Sequence, residues 1–203
     1  MSADYVVHIV DDEESVRKSL AFLLTVEGFT VRLHESAAAF LKVAPSIRNG
    51  CLVTDLRMPD IDGVELLRSL RADGIRIPAI VITGHADVPM AVAAMKAGAL
   101  DFIEKPFEDQ ILIDSIRRAA DQIGSSAAND LQGIERRLAT LTEREREVLS
   151  GIVAGLPNKT IAYDLDISPR TVEVHRANVM SKMDARSLAE LVRMAIASGV
   201  LPH

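Results

Sequence analysis

The first 123 residues alternate between short, mostly apolar runs and longer segments in which apolar residues recur every three or four positions. The short runs predict strands at Val6–Val10, Phe29–His34, Cys51–Asp55, Pro78–Thr83 and Asp101–Lys105. The longer segments predict helices at Glu14–Glu27, Ala37–Val43, Asp62–Ala72, Val88–Ala97 and Glu108–Ile123. This alternation predicts an α/β fold, in which helices cover both faces of a five-stranded parallel sheet.

A small, polar stretch, GSSAAND at residues 124–130, separates this part from a C-terminal part without strand patterns. Leu131–Leu138 can be helical, and four further helices are predicted at Glu143–Ala154, Lys159–Leu165, Arg170–Met183 and Leu188–Ala197. Residues that favour helix starts precede or open these four helices: Thr142, Asn158, Ser168 and Ser187. We therefore predict domains at residues 1–123 and 138–203, joined by a linker at residues 124–137.

The formal charge of −6 lies entirely in residues 1–123, which contain 13 basic and 19 acidic side chains, whereas residues 124–203 contain 10 of each. The C-terminal part is thus spared the negative charge that would repel a polyanion. No apolar run approaches the roughly 18 residues that span a bilayer, and the N-terminus lacks signal-peptide features. Cys51 is the only cysteine, which excludes an intramolecular disulfide. We expect a cytoplasmic chain with no membrane partner.

Acidic residues stand where two of the predicted strands end. Asp11 and Asp12 follow the first strand, and Asp55 ends the third. If the strands have the order 2-1-3-4-5, these two ends are neighbours at the edge where open α/β sheets bind ligands. Carboxylates so close together repel one another unless a cation is present. Oxygen ligands without histidine or cysteine suit Mg²⁺, so we predict a magnesium site.

The ends of the fourth and fifth strands add partners for a phosphoryl group. The fourth strand ends at Thr83 and the fifth at Lys105, so a hydroxyl and an ammonium group reach the same edge. An aspartate can act as a nucleophile toward phosphorus, and cations neutralise charge on the transferring group. These residues fit an aspartyl phosphate, either in a regulator or in a phosphotransferase or hydrolase whose helical tail aids assembly.

The stretches VDDEE, TDLRMPDIDG, VITG and EKPF, in this order within residues 5–123, resemble a bacterial response-regulator receiver domain. The resemblance implies a receiver domain with a flavodoxin-like fold. It also implies that a sensor histidine kinase phosphorylates Asp55, and that the protein is not an enzyme beyond assisting its own phosphorylation and dephosphorylation. The site residues that it implies are the Mg²⁺ ligands Asp12, Asp55 and the main-chain carbonyl of Arg57, with Asp11 acting through water, and the phosphate-responsive residues Thr83, Lys105 and Phe102.

The C-terminal helices contain a helix pair of the kind that reads DNA. A tight connection joins Lys159–Leu165 to Arg170–Met183. The second helix turns Val172, Val179 and Met183 toward the core. Its other face can enter the major groove, and with the start of the preceding helix it supplies the candidate DNA contacts Lys159, Arg170, Thr171, Glu173, Val174, His175, Arg176, Asn178 and Lys182.

The stretches LTEREREVL, GLPNKTIA, LDISPRTVEVHRANVMSKM and SLAELVRMA, over about residues 138–200, resemble the LuxR-type, or NarL/FixJ-type, helix-turn-helix. Together with the receiver motifs, they imply a transcription regulator that binds double-stranded promoter DNA and acts with RNA polymerase. Residues 82–107 are most similar to the regulators of nitrogen-fixation and microaerobic genes within that family. An RNA-binding output is the remaining alternative, which the recognition-helix motif disfavours.

A DNA-binding part without excess positive charge favours binding as a dimer, because phosphate contacts dominate affinity for DNA. Val92 and Lys96 lie four residues apart on the fourth receiver helix, and Asp101 follows nearby. An outward-facing Val92 beside Lys96 indicates a surface through which two receivers can pair. We therefore predict a homodimer that forms on phosphorylation through Val92, Lys96 and Asp101.

Overall fold

The structure is a computed structural model and describes residues 5–84, 87–122 and 128–200. By its contacts the chain divides into two units, one formed by residues 1–86 with 97–125 and the other by residues 87–96 with 126–203. The first unit contains the sheet, and the second is helical. The division at residue 123 stays a prediction. Among the described residues, no helix is long and apolar enough to cross a membrane.

The sheet has five strands in the order β2-β1-β3-β4-β5, which confirms the predicted order. All neighbouring strands are parallel. Their bounds are β1 Val6–Val10, β2 Thr30–His34, β3 Gly50–Asp55, β4 Ala79–Thr83 and β5 Asp101–Glu104. Val10 is the register partner of Thr54, so the residues that follow β1 lie beside the end of β3.

Helices connect successive strands at α1 Glu14–Val26, α2 Ala37–Val43, α3 Gly63–Ala72 and α4 Val88–Ala97, and α5 Asp109–Gln122 follows β5. Ser36 caps α2 by accepting the Ala39 N–H. Asp62 caps α3 instead of opening it, because its side chain accepts the Glu65 N–H. Local hydrogen bonding thus sets the helix starts that place the preceding loops.

The central strands β3 and β4 are almost entirely buried, as expected for a sheet covered on both faces. Val7, Ile9 and Cys51 are fully buried in the core that the sheet shares with α1 and α5. Cys51 therefore serves as a small apolar residue of β3. This core fixes the strand ends on which the candidate site depends.

A histidine pair joins β1 to the edge strand β2. His8 Nδ1 is 3.0 Å from His34 Nε2, the two rings stack, and both pack edge-on against Phe40. Burial, followed by the charges of His34 and Arg32, lowers the pKa of His8 to about 4. The pair is therefore neutral and structural at physiological pH.

We expect the sheet unit to lose stability as the pH falls from 7 to 5. In the unfolded state His8 has the ordinary histidine pKa of about 6.5 and becomes protonated as the pH falls below that value. In the folded state its pKa is about 4, so the ring stays neutral over the same interval and protonation favours unfolding. The loss through His8 is about 2 kcal/mol over that interval. Urea unfolding at each pH measures it, and the slope should flatten in His8→Gln. An equal slope in parent and variant would contradict the assignment.

The helical part comprises α6 Ala128–Ala139, α7 Glu143–Ala154, α8 Asn158–Asp164, α9 Pro169–Met183 and α10 Leu188–Ala197. Helix α6 occupies much of the predicted linker and extends the helix that Leu131–Leu138 indicated. Val172, Val179 and Met183 are fully buried, which confirms the predicted inner face of α9. The other described face of this helix is available for a ligand.

Three of the predicted helix caps are confirmed and one needs correction. Thr142 forms the complete capping box of α7, and Ser168 caps α9 ahead of Pro169. Asn158 is not a cap: it lies within α8, after Pro157. Ser187 caps α10 by accepting the Glu190 N–H. The Ser187 to Glu190 spacing also predicts a reciprocal capping box, which is not formed, because the Glu190 side chain accepts the Arg186 N–H.

Candidate phosphorylation site and DNA interface

The carboxyl ends of β1, β3 and β5 meet in a compact charged cluster. Lys105 Nζ donates to Asp55 Oδ1 at 2.9 Å and to Asp11 Oδ2 at 3.3 Å. Asp11 is 3% exposed, so these are not loose surface pairs. The predicted convergence of Asp11, Asp55 and Lys105 is therefore present, with the ammonium group bridging two carboxylates.

Main-chain groups hold the remaining carboxylate oxygens. The Glu13 N–H donates to Asp11 Oδ1 at 2.9 Å, and the Arg57 N–H donates to Asp55 Oδ2 at 2.6 Å. Each carboxylate thus receives one main-chain donor and shares one ammonium group. Such bonds to both oxygens fix the carboxylate planes relative to the sheet edge.

Burial raises the pKa of Asp11, and the opposing effects of the Glu13 N–H and Lys105 do not cancel that rise. Burial also lowers the pKa of Lys105, but its hydrogen bonds and charge interactions with Asp55 and Asp11 outweigh this, so the pKa is raised. Lys105 is therefore a cation throughout the physiological range. It can neutralise negative charge on a group transferred to Asp55.

The donors at this edge suit a hard cation. In the described part of the chain, no three His, Cys, Asp or Glu side chains lie close enough together to hold a metal ion. Mg²⁺ nevertheless needs only one or two carboxylates, since it keeps several waters and takes substrate phosphate oxygens. Asp12 is exposed beside the buried Asp11, and the donors here are all oxygens. These residues fit Mg²⁺ held by few carboxylates and by water.

Thr83 and Phe102 lie on the two strands at the other side of the cluster. Thr83 is 1% exposed at the end of β4, and its carbonyl accepts the Lys105 N–H at 2.7 Å. The Lys105–Pro106 bond that follows is cis. Phe102 is half-buried on β5. His85, which follows Thr83 by two residues in the sequence and is therefore a candidate neighbour of the site, lies outside the described residues.

Gly63 is a site residue that the sequence reasoning missed. A Cβ at this position would lie 2.5 Å from the main-chain oxygen of Asp55, which no side chain can occupy. Its N–H also donates to the Leu56 carbonyl at 2.9 Å. Glycine is therefore required for α3 to start directly against the strand end that carries Asp55.

The predicted dimer surface needs correction. Val92 is 2% exposed and therefore does not present an outward apolar side chain. Asp101 is 9% exposed, and its carboxylate accepts from Ser115 and from Arg118, each at 2.5 Å. Both side chains are occupied within the chain, because tertiary packing gives them partners that helical spacing does not reveal.

Most candidate DNA contacts lie exposed on α8 and α9, as predicted. Val174 is 54% exposed, so its side chain can meet an apolar group such as a thymine methyl. The exposed polar candidates on this surface are Lys159, Arg170, Glu173, Asn178 and Lys182. The surface thus offers cations for phosphates together with short side chains for base edges.

Arg176 and Lys182 are held by other side chains rather than pointing freely outward. Arg176 Nη1 donates to Asn158 Oδ1 at 2.7 Å, so α8 positions its guanidinium and leaves the other donors available. Lys182 Nζ donates to the buried Glu145 at 2.6 Å and to the Thr140 carbonyl. The Lys182 ammonium group therefore supports the capping box of α7, and its contact with a DNA phosphate stays a prediction.

Two further candidates have mixed surroundings. The Thr171 hydroxyl is 2.8 Å from that of Ser168 and belongs to the start of α9. His175 is half-buried, and its Nδ1 is buried with no hydrogen-bond partner among the described residues. Because this nitrogen is buried, it does not itself reach the surface of α9, and the DNA contact of His175 stays a prediction.

Residues 7–117 match the family described as response regulator receiver domain, and residues 139–195 match the bacterial regulatory proteins of the luxR family. The chain is 68% identical over 201 residues to the transcriptional regulatory protein FixJ of Rhizobium meliloti (strain 1021), and the match covers 98% of each chain. It is 56% identical over 200 residues to the FixJ protein of Azorhizobium caulinodans, covering 97% of this chain and 94% of the relative.

The solved structures give the same result. Full-length FixJ from B. japonicum is 49% identical, with a TM-score of 0.58, over 98% of this chain and 100% of that one. The structure described as FixJ-N is 66% identical, with a TM-score of 0.58, over 62% of this chain and 100% of that one. These findings confirm the predicted fold class, a five-stranded receiver followed by a helical domain.

Proposed function

We propose a phosphorylation path for this chain, which belongs to the response-regulator receiver family and joins a receiver to a luxR-type DNA-binding domain. The chain is a two-component response regulator that controls transcription, and not a stand-alone enzyme. In the proposal a sensor histidine kinase transfers a phosphoryl group to Asp55. The observation that carries it is the Lys105 ammonium group, which bridges Asp55 and Asp11 at 2.9 and 3.3 Å.

In the proposed transfer, an oxygen of Asp55 attacks phosphorus as the bond to the kinase histidine breaks. The Asp55 carboxylate is already fixed by the Arg57 N–H, so little reorganisation is needed. Lys105 then contacts the new phosphoryl oxygens, and Thr83 and Phe102 rearrange in response. Asp12, Asp55 and the Arg57 carbonyl, with Asp11 through water, would hold Mg²⁺, which neutralises phosphoryl charge when bound.

Removing the metal should stop phosphorylation from acetyl phosphate. Asp12→Ala should cost at least about tenfold in rate at a fixed Mg²⁺ concentration, because the exposed carboxylate is a proposed direct ligand. Asp73→Ala, which removes an exposed acid after α3, is the matched control. Phosphate uptake by mass spectrometry is the measurement. Undiminished uptake in excess chelator would refute the magnesium assignment.

An apolar groove of this chain, beside the charged cluster, is the proposed docking site for the kinase. Helix α1 and the segment after β5 line a groove of about 560 Å³ that includes Lys105. Phe22 and Val26 in this groove are 74% and 69% exposed, and paired apolar exposure of this kind is typical of interaction sites. We place the kinase there because the groove reaches the ammonium group that contacts Asp55.

Phe22→Glu should slow transfer from the purified, autophosphorylated kinase by about tenfold, the loss of one strong interface anchor. Uptake from acetyl phosphate should not change, since the hydrogen bonds of the charged cluster do not involve Phe22. Leu33→Glu on the exposed side of β2 is the control. Equal loss with both donors would indicate damage to the site itself and exclude a docking role.

For the output, phosphorylation favours a homodimer in the cytoplasm that binds two half-sites of promoter DNA and recruits RNA polymerase. The DNA contacts proposed are those of α8 and α9, with Arg176 prominent among them.

Similarity to FixJ proteins supports nitrogen-fixation and microaerobic genes as targets. Of the three predicted pairing residues, the exposed Lys96 stays in the proposed dimer surface. DNA footprinting with and without acetyl phosphate tests the path.

A further inference from the structure

Arg17, in the first turns of α1, reaches back to the end of β1. Its Nη1 donates to the main-chain oxygen of Asp11 at 2.6 Å, across six residues. The side chain is half-buried and forms no ion pair within the described residues. The guanidinium group is therefore directed at a carbonyl, although several carboxylates lie nearby along the chain.

This carbonyl belongs to the turn that carries the proposed magnesium ligands. Two further hydrogen bonds hold the same turn. The Glu13 N–H donates to Asp11 Oδ1, and the Asp11 N–H donates to the His34 carbonyl. Asp12 follows the Asp11 carbonyl directly, so the orientation of that peptide group sets the direction of the Asp12 side chain. A charge-assisted hydrogen bond on this oxygen restrains that peptide group.

We propose that Arg17 is a positioning residue for Mg²⁺: it fixes the turn from Asp11 to Glu13 so that Asp12 is already oriented when the ion binds. The inference rests on the proposed magnesium site. It extends to this chain the general observation that groups holding metal ligands in place contribute about 10–100-fold to metal affinity. Sequence reasoning did not find it, because Arg17 has no chemistry of its own in the transfer.

The sign of the effect separates positioning from charge. Arg17 is a cation near an acidic cluster, so its charge alone repels Mg²⁺, and a neutral replacement would then bind the ion more tightly. Positioning has the opposite consequence: losing the hydrogen bond frees the turn and weakens binding. A purely structural role would lower the unfolding temperature without Mg²⁺ and leave the affinity of the folded chain unchanged.

The test is titration of Mg²⁺ alone into the full-length chain, without phosphodonor, by calorimetry. Arg17→Met should bind Mg²⁺ about tenfold or more weakly, and Arg17→Lys, which can still donate to the carbonyl, should recover part of the loss. Lys18→Met removes the neighbouring cation, which pairs outward with Glu14, and should match the parent. Arg17→Gln replaces Arg17→Met if the latter does not fold.

Unchanged or tighter binding in the neutral Arg17 variants would overturn the inference while leaving the magnesium site intact. A parent chain that does not bind Mg²⁺ would overturn both the inference and the metal assignment under the proposed function. Weak binding in Lys18→Met as well as in Arg17→Met would also overturn it, since the effect would then belong to α1 as a whole.

Discussion

Asp55→Asn is expected to abolish phosphorylation by acetyl phosphate and by the kinase, while the chain remains folded. The amide has the shape of the carboxylate but is not a competent nucleophile toward phosphorus. The fold should persist because the amide oxygen can still accept the Arg57 N–H, which now donates at 2.6 Å. Intact-protein mass spectrometry after treatment measures the bound phosphate, and thermal unfolding checks the fold.

Asp60→Asn is the matched control, because Asp60 is an exposed acid in the same loop at a positive φ of 66°, which asparagine tolerates. It should take up phosphate like the parent. Stoichiometric phosphate on Asp55→Asn would show that another side chain is the acceptor. A variant that loses both phosphate and its unfolding transition would be uninformative about chemistry, so Asp55→Glu, which keeps the charge, provides the second comparison: it too should remain unphosphorylated.

The fold and the acidic end of the site could be predicted from sequence because both follow from backbone rules. Alternating strand and helix periods predict a parallel sheet, and parallel strands bring Asp11, Asp55 and Lys105 to one edge whatever their side-chain conformations. The predicted strand bounds are accordingly within one residue of those observed. Positions set by topology need only the order of the elements.

Side-chain partners that lie far apart in the chain could not be predicted from the sequence. The sequence predicts Lys182 only as a phosphate contact, yet its ammonium group donates to Glu145, 37 residues away. Asn158 is a residue type that often caps helices, yet its side-chain oxygen accepts a hydrogen bond from the Arg176 guanidinium group, 18 residues away. Val92 has helical spacing typical of an outward face, yet it is buried. Local pattern cannot distinguish an exposed polar residue from one that tertiary packing has satisfied.

The uneven charge of the chain predicts how its two parts differ in DNA binding. Residues 124–203 alone should bind the promoter more tightly than the unphosphorylated full-length chain, because residues 1–123 carry the entire formal charge of −6 and repel DNA phosphates. The phosphorylated full-length chain should bind the same site, since a dimer contacts two half-sites. Titration of each protein onto one promoter fragment at several salt concentrations measures both effects.

Three variants of the fragment separate the proposed roles. Arg176→Ala should weaken binding to all sequences and flatten the salt dependence by about 1 unit of slope, as loss of one phosphate contact requires. Glu173→Ala should instead change the sequence preference, if this exposed side chain reads a base. Lys182→Met should lower the stability of the domain by roughly 1–3 kcal/mol through the loss of a charged hydrogen bond, with an unchanged salt slope in the folded fraction.

The salt slope therefore decides between the two cations on α9. If Lys182→Met flattens it as much as Arg176→Ala does, the Lys182 ammonium group leaves Glu145 to bind DNA, and the structural role assigned to it is wrong. If neither variant changes the slope, the phosphate contacts lie elsewhere, on the exposed Lys159 and Arg170. A fragment that binds no better than the unphosphorylated chain would remove the electrostatic argument and leave dimerisation as the sole source of activation.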